Sequence, residues 1–208
     1  MSQRRLPPDE RRRQIVEAAR SVIVRQGLGT TSLRNIANEA QVSMGTVTYH
    51  FSSIDDIIGA VVVTESERFY ADVVAAADTE PDARSALQLL VDPLFGDTDD
   101  VHAHWRIWSD YWAATGRRPE MTQAYADRIR HWENCCARVI ARGVAAGVFR
   151  PVEPRESALK LAAYADGLGT QRLQEARDLS AEVARTYLTE FIDLLLSPAG
   201  PAASERSG

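Results

Sequence analysis

The sequence predicts an all-α protein, an N-terminal three-helix helix-turn-helix domain followed by a larger helical domain. Three observations carry that prediction. Apolar residues return at i, i+3, i+4 and i+7 in segment after segment, the signature of a helix with one buried face. Glycine, proline and acidic clusters separate those segments at helix-like intervals. Between Thr31 and Phe51, two short periodic stretches are joined by a single tight turn. A chain of 208 residues, 45% hydrophobic, is long enough to build one large or two modest cores.

In chain order, residues 1–8 hold Arg4 and Arg5 ahead of Pro7-Pro8, which cannot be helix interior. This basic arm either drops into a minor groove, as arms do beside some reading helices, or stays solvated. From Asp9, the positions Ile15, Ala18, Ala19, Val22 and Ile23 keep helical spacing until Gly27 stops the helix. Leu33, Ile36, Ala37 and Ala40 then form one apolar face, with Thr31 or Ser32 available as cap. Ser43 caps a second short helix that turns Val47 and Phe51 inward. Met44, Thr46 and Thr48 fall on the opposite side, where short side chains let a DNA groove come close. Tyr49 and His50 offer an O–H and an N–H suited to phosphate oxygens, and the helix dipole adds to them.

Beyond Phe51, Ser52-Ser53 caps a long helix through Ile57, Ile58, Val61 and Val62 toward Ala76. A shorter helix over 83–91 follows. Next come Trp105, Trp108 and Trp112 at i, i+3 and i+7, flanked by Tyr111. A long helix over 119–146 answers with Met121, Tyr125, Ile129 and Trp132. Three of the four tryptophans within eight residues exceed what a small core needs, so Trp105, Trp108, Tyr111, Trp112, Tyr125 and Trp132 are candidate walls of a small-molecule cavity. The last two helices, over 154–177 and 180–196, carry small or apolar stripes; pairing with a second copy would give a four-helix, two-fold interface. The domain division expected is 1–51 for DNA, 52–196 for ligand and dimerisation, and 197–208 as a disordered tail.

The run Thr31-Ser32-Leu33-Arg34-Asn35-Ile36-Ala37, then Ala40-Gln41-Val42-Ser43-Met44-Gly45-Thr46-Val47-Thr48-Tyr49-His50-Phe51, resembles the DNA-binding region of the TetR family of bacterial transcriptional regulators. The resemblance implies that Ser32 and Arg34 touch the DNA backbone, that Ser43, Met44, Thr46 and Thr48 meet base edges or nearby phosphates, and that Tyr49 and His50 grip phosphate. It also implies a homodimer formed by the last two helices on an inverted-repeat operator. Two positions depart from the family pattern: Gln41 stands where glycine is usual in the turn, and Ile54 replaces a usual lysine. A left-handed backbone at Gln41 would cost about 1 kcal/mol. Residues 105–173 resemble, less specifically, the ligand domain of the BetI-like branch. Indole faces suit a quaternary ammonium, with Asp110 or Glu133 helping, but also aromatic and acyl compounds.

Charge agrees with this reading once its distribution is considered. The net charge is −5, yet residues 1–50 carry eight Arg against four acids while the remainder is acidic, so a basic head faces phosphate. Adjacent Cys135 and Cys136 fit neither disulfide framework nor zinc spacing, and His102 and His104 lack a third ligand, so no metal is expected. No nucleophile, base and orienter set and no cofactor loop stand out, so neither an enzyme nor a cofactor is expected. With no eighteen-residue apolar run and no signal peptide, the expected location is cytoplasmic.

Overall fold

The computed structural model describes residues 6–116, 130–175 and 178–198. Its order is α1 (Pro8–Gln26), a 3₁₀ turn (Leu28–Thr30), α2 (Leu33–Glu39), α3 (Met44–His50), α4 (Ile54–Thr79), α5 (Ala83–Val91), a second 3₁₀ turn (Asp92–Leu94), α6 (Asp99–Thr115), α7 (His131–Ala145), α8 (Pro154–Leu173) and α9 (Ala181–Leu196). The described residues contain no strand, in agreement with the all-α expectation. None of their helices is long and apolar enough to cross a membrane. Arg4, Arg5, Met121, Tyr125, Ile129 and residues 199–208 of the expected tail lie outside the described residues.

The chain packs as two compact units. The first, over described residues 6–69 and 102–116, holds α1–α3, most of α4 and most of α6. Helix starts follow the expected chemistry. Ser32 rather than Thr31 caps α2, and it does so reciprocally: Asn35 N–H donates to Ser32 Oγ, and the Ser32 N–H donates to the Asn35 side chain. Ser43 Oγ accepts from Thr46 N–H at the start of α3. Ile15, Ala19, Ile23, Ile36, Val47, Phe51, Ile57 and Val61 share one buried core with Ile107, Trp108 and Tyr111 of α6. Each Val, Ile or Phe side chain among them contributes on the order of 1.5–3 kcal/mol by leaving water.

The α2–α3 turn is a Schellman closure. Gln41 N–H donates to Asn38 O and Val42 N–H to Ala37 O, and Gln41 takes φ 55. The left-handed backbone foreseen at this non-glycine position is therefore present.

The second unit, over described residues 70–101 and from Arg130 onward, packs α7 against α5 and α8, and α9 against α8 and α5. Gly143 on α7 is required by packing, because a Cβ there would collide with the Phe149 ring. Arg142 of α7 donates to the carbonyls of Ala77, Asp78 and Glu80, closing the C-terminal end of α4. Cys135 and Cys136 are both buried, and burial pushes the Cys135 thiol up to about 11.

Candidate nucleic-acid interface and aromatic site

Helix α3 presents most of the expected side chains on one outward surface. Tyr49 is 80% exposed and its ring meets His50 edge-on, centroids 5.0 Å apart. Met44 and Thr48 are exposed, and Thr48 turns its hydroxyl back onto the carbonyls of Met44 and Gly45 at 3.2 and 3.3 Å. Thr46 Oγ1 and Ser43 Oγ share a hydrogen bond of 2.9 Å. Arg34 is exposed on α2, whereas the Ser32 side chain is occupied within its cap.

Other residues escaped the sequence reading. Arg12 donates to His50 O at 3.2 Å and lays its guanidinium 4.0 Å over the Phe51 ring, holding the end of α3. Gln14 donates to Ala40 O at 2.8 Å, holding the end of α2. Both short helices are thus stapled to α1 at their C-terminal carbonyls. Arg11 and Gly45 join Ser43, Thr46, Tyr49 and His50 around a groove of about 770 Å³ open to solvent. No periodicity marks these α1 residues, because they lie on its partly exposed edge.

On α6, Trp108 stacks on Trp112 with centroids 5.5 Å apart, and Tyr111 stands edge-on to Trp108 at 5.9 Å. Trp105 and Trp108 each meet His104 edge-on or nearly so, at 5.5 and 6.0 Å. Trp105, Trp108 and Tyr111 are buried, while Trp112 is 38% exposed. The buried indole N–H of Trp108 has no acceptor among the described residues. Trp132 belongs to the second unit, where its indole N–H donates to Leu90 O at 2.9 Å.

A buried polar chain lies beside these rings. Arg20 of α1 pairs with Glu65 of α4 at 2.6 Å, and His104 Nδ1 lies 3.5 Å from the other Glu65 oxygen, with the imidazole stacked on Phe69 at 3.8 Å. Burial alone would raise the Glu65 carboxyl, but bonds from His104 and Arg20 outweigh it and hold the group below its ordinary value. Burial pushes His104 below its ordinary value, against the pull of Glu65.

The outer face of α6 is tied to the end of α1. Arg106 donates to Val24 O at 2.8 Å, and Leu28 N–H donates to an Asp110 carboxylate oxygen at 2.7 Å. Asp110, expected to help a cationic ligand, accepts this backbone N–H through one carboxylate oxygen. Glu133 pairs with Arg130 in the second unit at 2.8 Å.

The family model for bacterial regulatory proteins of the TetR type matches residues 15–61, and that for the C-terminal region of BetI-type transcriptional repressors matches residues 83–197. The chain belongs to the TetR family. Among its TetR relatives, the HTH-type transcriptional regulator BetI of Cronobacter sakazakii is 30% identical over 205 residues, covering 94% of this chain and 95% of that one. BetI of Burkholderia thailandensis is 28% identical over 192 residues, covering 90% and 94%. A transcriptional regulator from Saccharomonospora viridis, solved in complex with choline, superposes with a TM-score of 0.79 at 31% identity, covering 92% of this chain and all of that one. The expected class, a DNA-binding TetR transcriptional regulator, therefore holds.

Proposed function

We propose that this regulator is a homodimeric repressor that leaves an inverted-repeat operator when a small organic cation of the choline type binds beside α6. The aromatic cluster carries the reading. Partly exposed Trp112, stacked on buried Trp108 with Tyr111 edge-on behind it, supplies the kind of π surface that attracts a quaternary ammonium by about 0.5–2 kcal/mol per ring. The Trp108 N–H provides a donor for an oxygen on the same ligand. The choline bound to the Saccharomonospora protein supports this class.

On the DNA side, Arg34, Ser43, Met44, Thr46, Thr48, Tyr49 and His50 serve as the contact set, with Ser32 acting through its cap. Exposed Leu159 on α8 and Tyr187 and Leu194 on α9 support pairing with a second copy through those helices. The two copies of α3 must then lie about 34 Å apart to enter successive major grooves. Because α6 is bonded to the end of α1 through Arg106 and Asp110, a ligand that shifts α6 shifts the head, in addition to any push on α4. Coupling of this kind typically amounts to about 1–3 kcal/mol.

The test is selection of bound duplexes from a random pool at stated salt, followed by choline titration of the complex. An enriched inverted repeat, released as choline quenches tryptophan fluorescence, is the expected result. An enriched site indifferent to choline would refute the ligand class, and absence of enrichment with folded dimer would refute the operator reading.

A further inference from the structure

Gly45 is the second residue of α3, and nothing among the described residues calls for glycine there. A Cβ built on it meets only Ser43 Oγ, at an ordinary contact distance of 3.7 Å. Its φ is not in the left-handed region, unlike those of Gly27 (φ 82) and Gly147 (φ 71). Packing does not require it either, unlike Gly143. Glycine within a helix is destabilising relative to alanine, so the chain gives up stability at this position without any internal return.

The surroundings show what the missing side chain leaves open. Gly45 lies one turn from Thr48 and Tyr49 and so shares their outward face, and it lines the same groove as Ser43, Thr46, Tyr49 and His50. Tyr49 rises beside it, and Thr48 folds its hydroxyl back onto the Gly45 carbonyl. The result is a notch in the DNA-facing surface of α3, floored by backbone. We infer that Gly45 is a close-approach position, where the duplex packs directly against the α3 backbone and a methyl group would hold it off.

This rests on the assignment of α3 as the DNA-facing helix and adds a contact that no side-chain chemistry would disclose. The experiment compares wild type, Gly45→Ala and Gly143→Ala in thermal unfolding and in titration with the selected operator duplex. For Gly45→Ala the expected result is a thermal midpoint unchanged or raised by about 1–4 °C, with operator affinity reduced at least about tenfold. Gly143→Ala should show the reverse ordering, a lowered midpoint, because there the fold itself needs the space. An alanine variant that binds the operator as wild type does would overturn the inference. So would a lowered midpoint for Gly45→Ala, which would make the glycine a folding requirement. If wild type itself binds no duplex, the assignment of α3 fails and this inference falls with it, a result distinct from failure of the variant alone.

Discussion

Replacing Gln41 by glycine should stabilise the reading head. The residue occupies the position after the α2 cap with φ 55, its side chain is exposed, and both Schellman hydrogen bonds come from backbone groups that glycine keeps. The left-handed conformation costs an ordinary L-residue about 1–2 kcal/mol. Glycine relieves that strain but gains about 0.4–1 kcal/mol of unfolded-state freedom. The net expectation is a stabilisation of about 0.5–1 kcal/mol, seen as a thermal midpoint raised by roughly 1–4 °C in a chain of this size. Gln41→Val supplies the opposite test, since a β-branched residue is poorly tolerated at positive φ and the midpoint should fall. Urea and thermal unfolding, followed by far-ultraviolet circular dichroism, measure both. A glycine variant less stable than wild type would refute the account, because it would mean that the Gln41 side chain makes a stabilising contact outweighing the strain.

Three further outcomes are expected. Arg34→Gln should weaken binding to all duplexes about equally and reduce the slope of log affinity against log salt by about 0.9, measured by titration across a salt series. Asp110→Ala frees the Leu28 N–H from α6, so choline should bind with little change while its ability to release the operator drops several-fold; fluorescence and operator titrations read the two separately. Burial, with Glu133 adding to it and Arg130 opposing, pushes the Asp166 carboxyl up to about 6 from an ordinary 3.8. The folded state thus binds the proton more tightly than the unfolded chain, and stability falls as pH rises between those values. Asp166→Asn should therefore stabilise the fold at pH 7.5 by on the order of 2 kcal/mol after screening, seen as a raised thermal midpoint, and the gain should disappear below about pH 4.

What could be read from the sequence was what depends on near neighbours. Ser32, Ser43 and Ser53 mark helix starts because a capping hydroxyl serves backbone donors three residues ahead, and each accepts such a bond. Val47 and Phe51 turn inward because helical spacing leaves them no alternative. The long-range polar contacts were not legible. Arg12 and Gln14 reach carbonyls 38 and 26 residues away, and Arg20 meets a carboxylate 45 residues on. Asp110 accepts from a backbone N–H 82 residues earlier, a partner that carries no mark in the sequence. His104 looked like half of an incomplete metal pair, while its burial against Phe69 and Glu65 follows from how α4 and α6 pack. The aromatic face itself was visible, since Trp105, Trp108 and Trp112 repeat at helical intervals.

The stacked pair on α6 also has an optical consequence. Trp108 and Trp112 hold two indoles 5.5 Å apart at 28°, a fixed separation at which their nearly degenerate electronic transitions mix instead of absorbing independently. Such a pair produces a bisignate circular dichroism band whose amplitude depends steeply on distance and angle. Any molecule that slips between or tilts these rings will change that band, so the protein carries a built-in, label-free gauge of the geometry of α6.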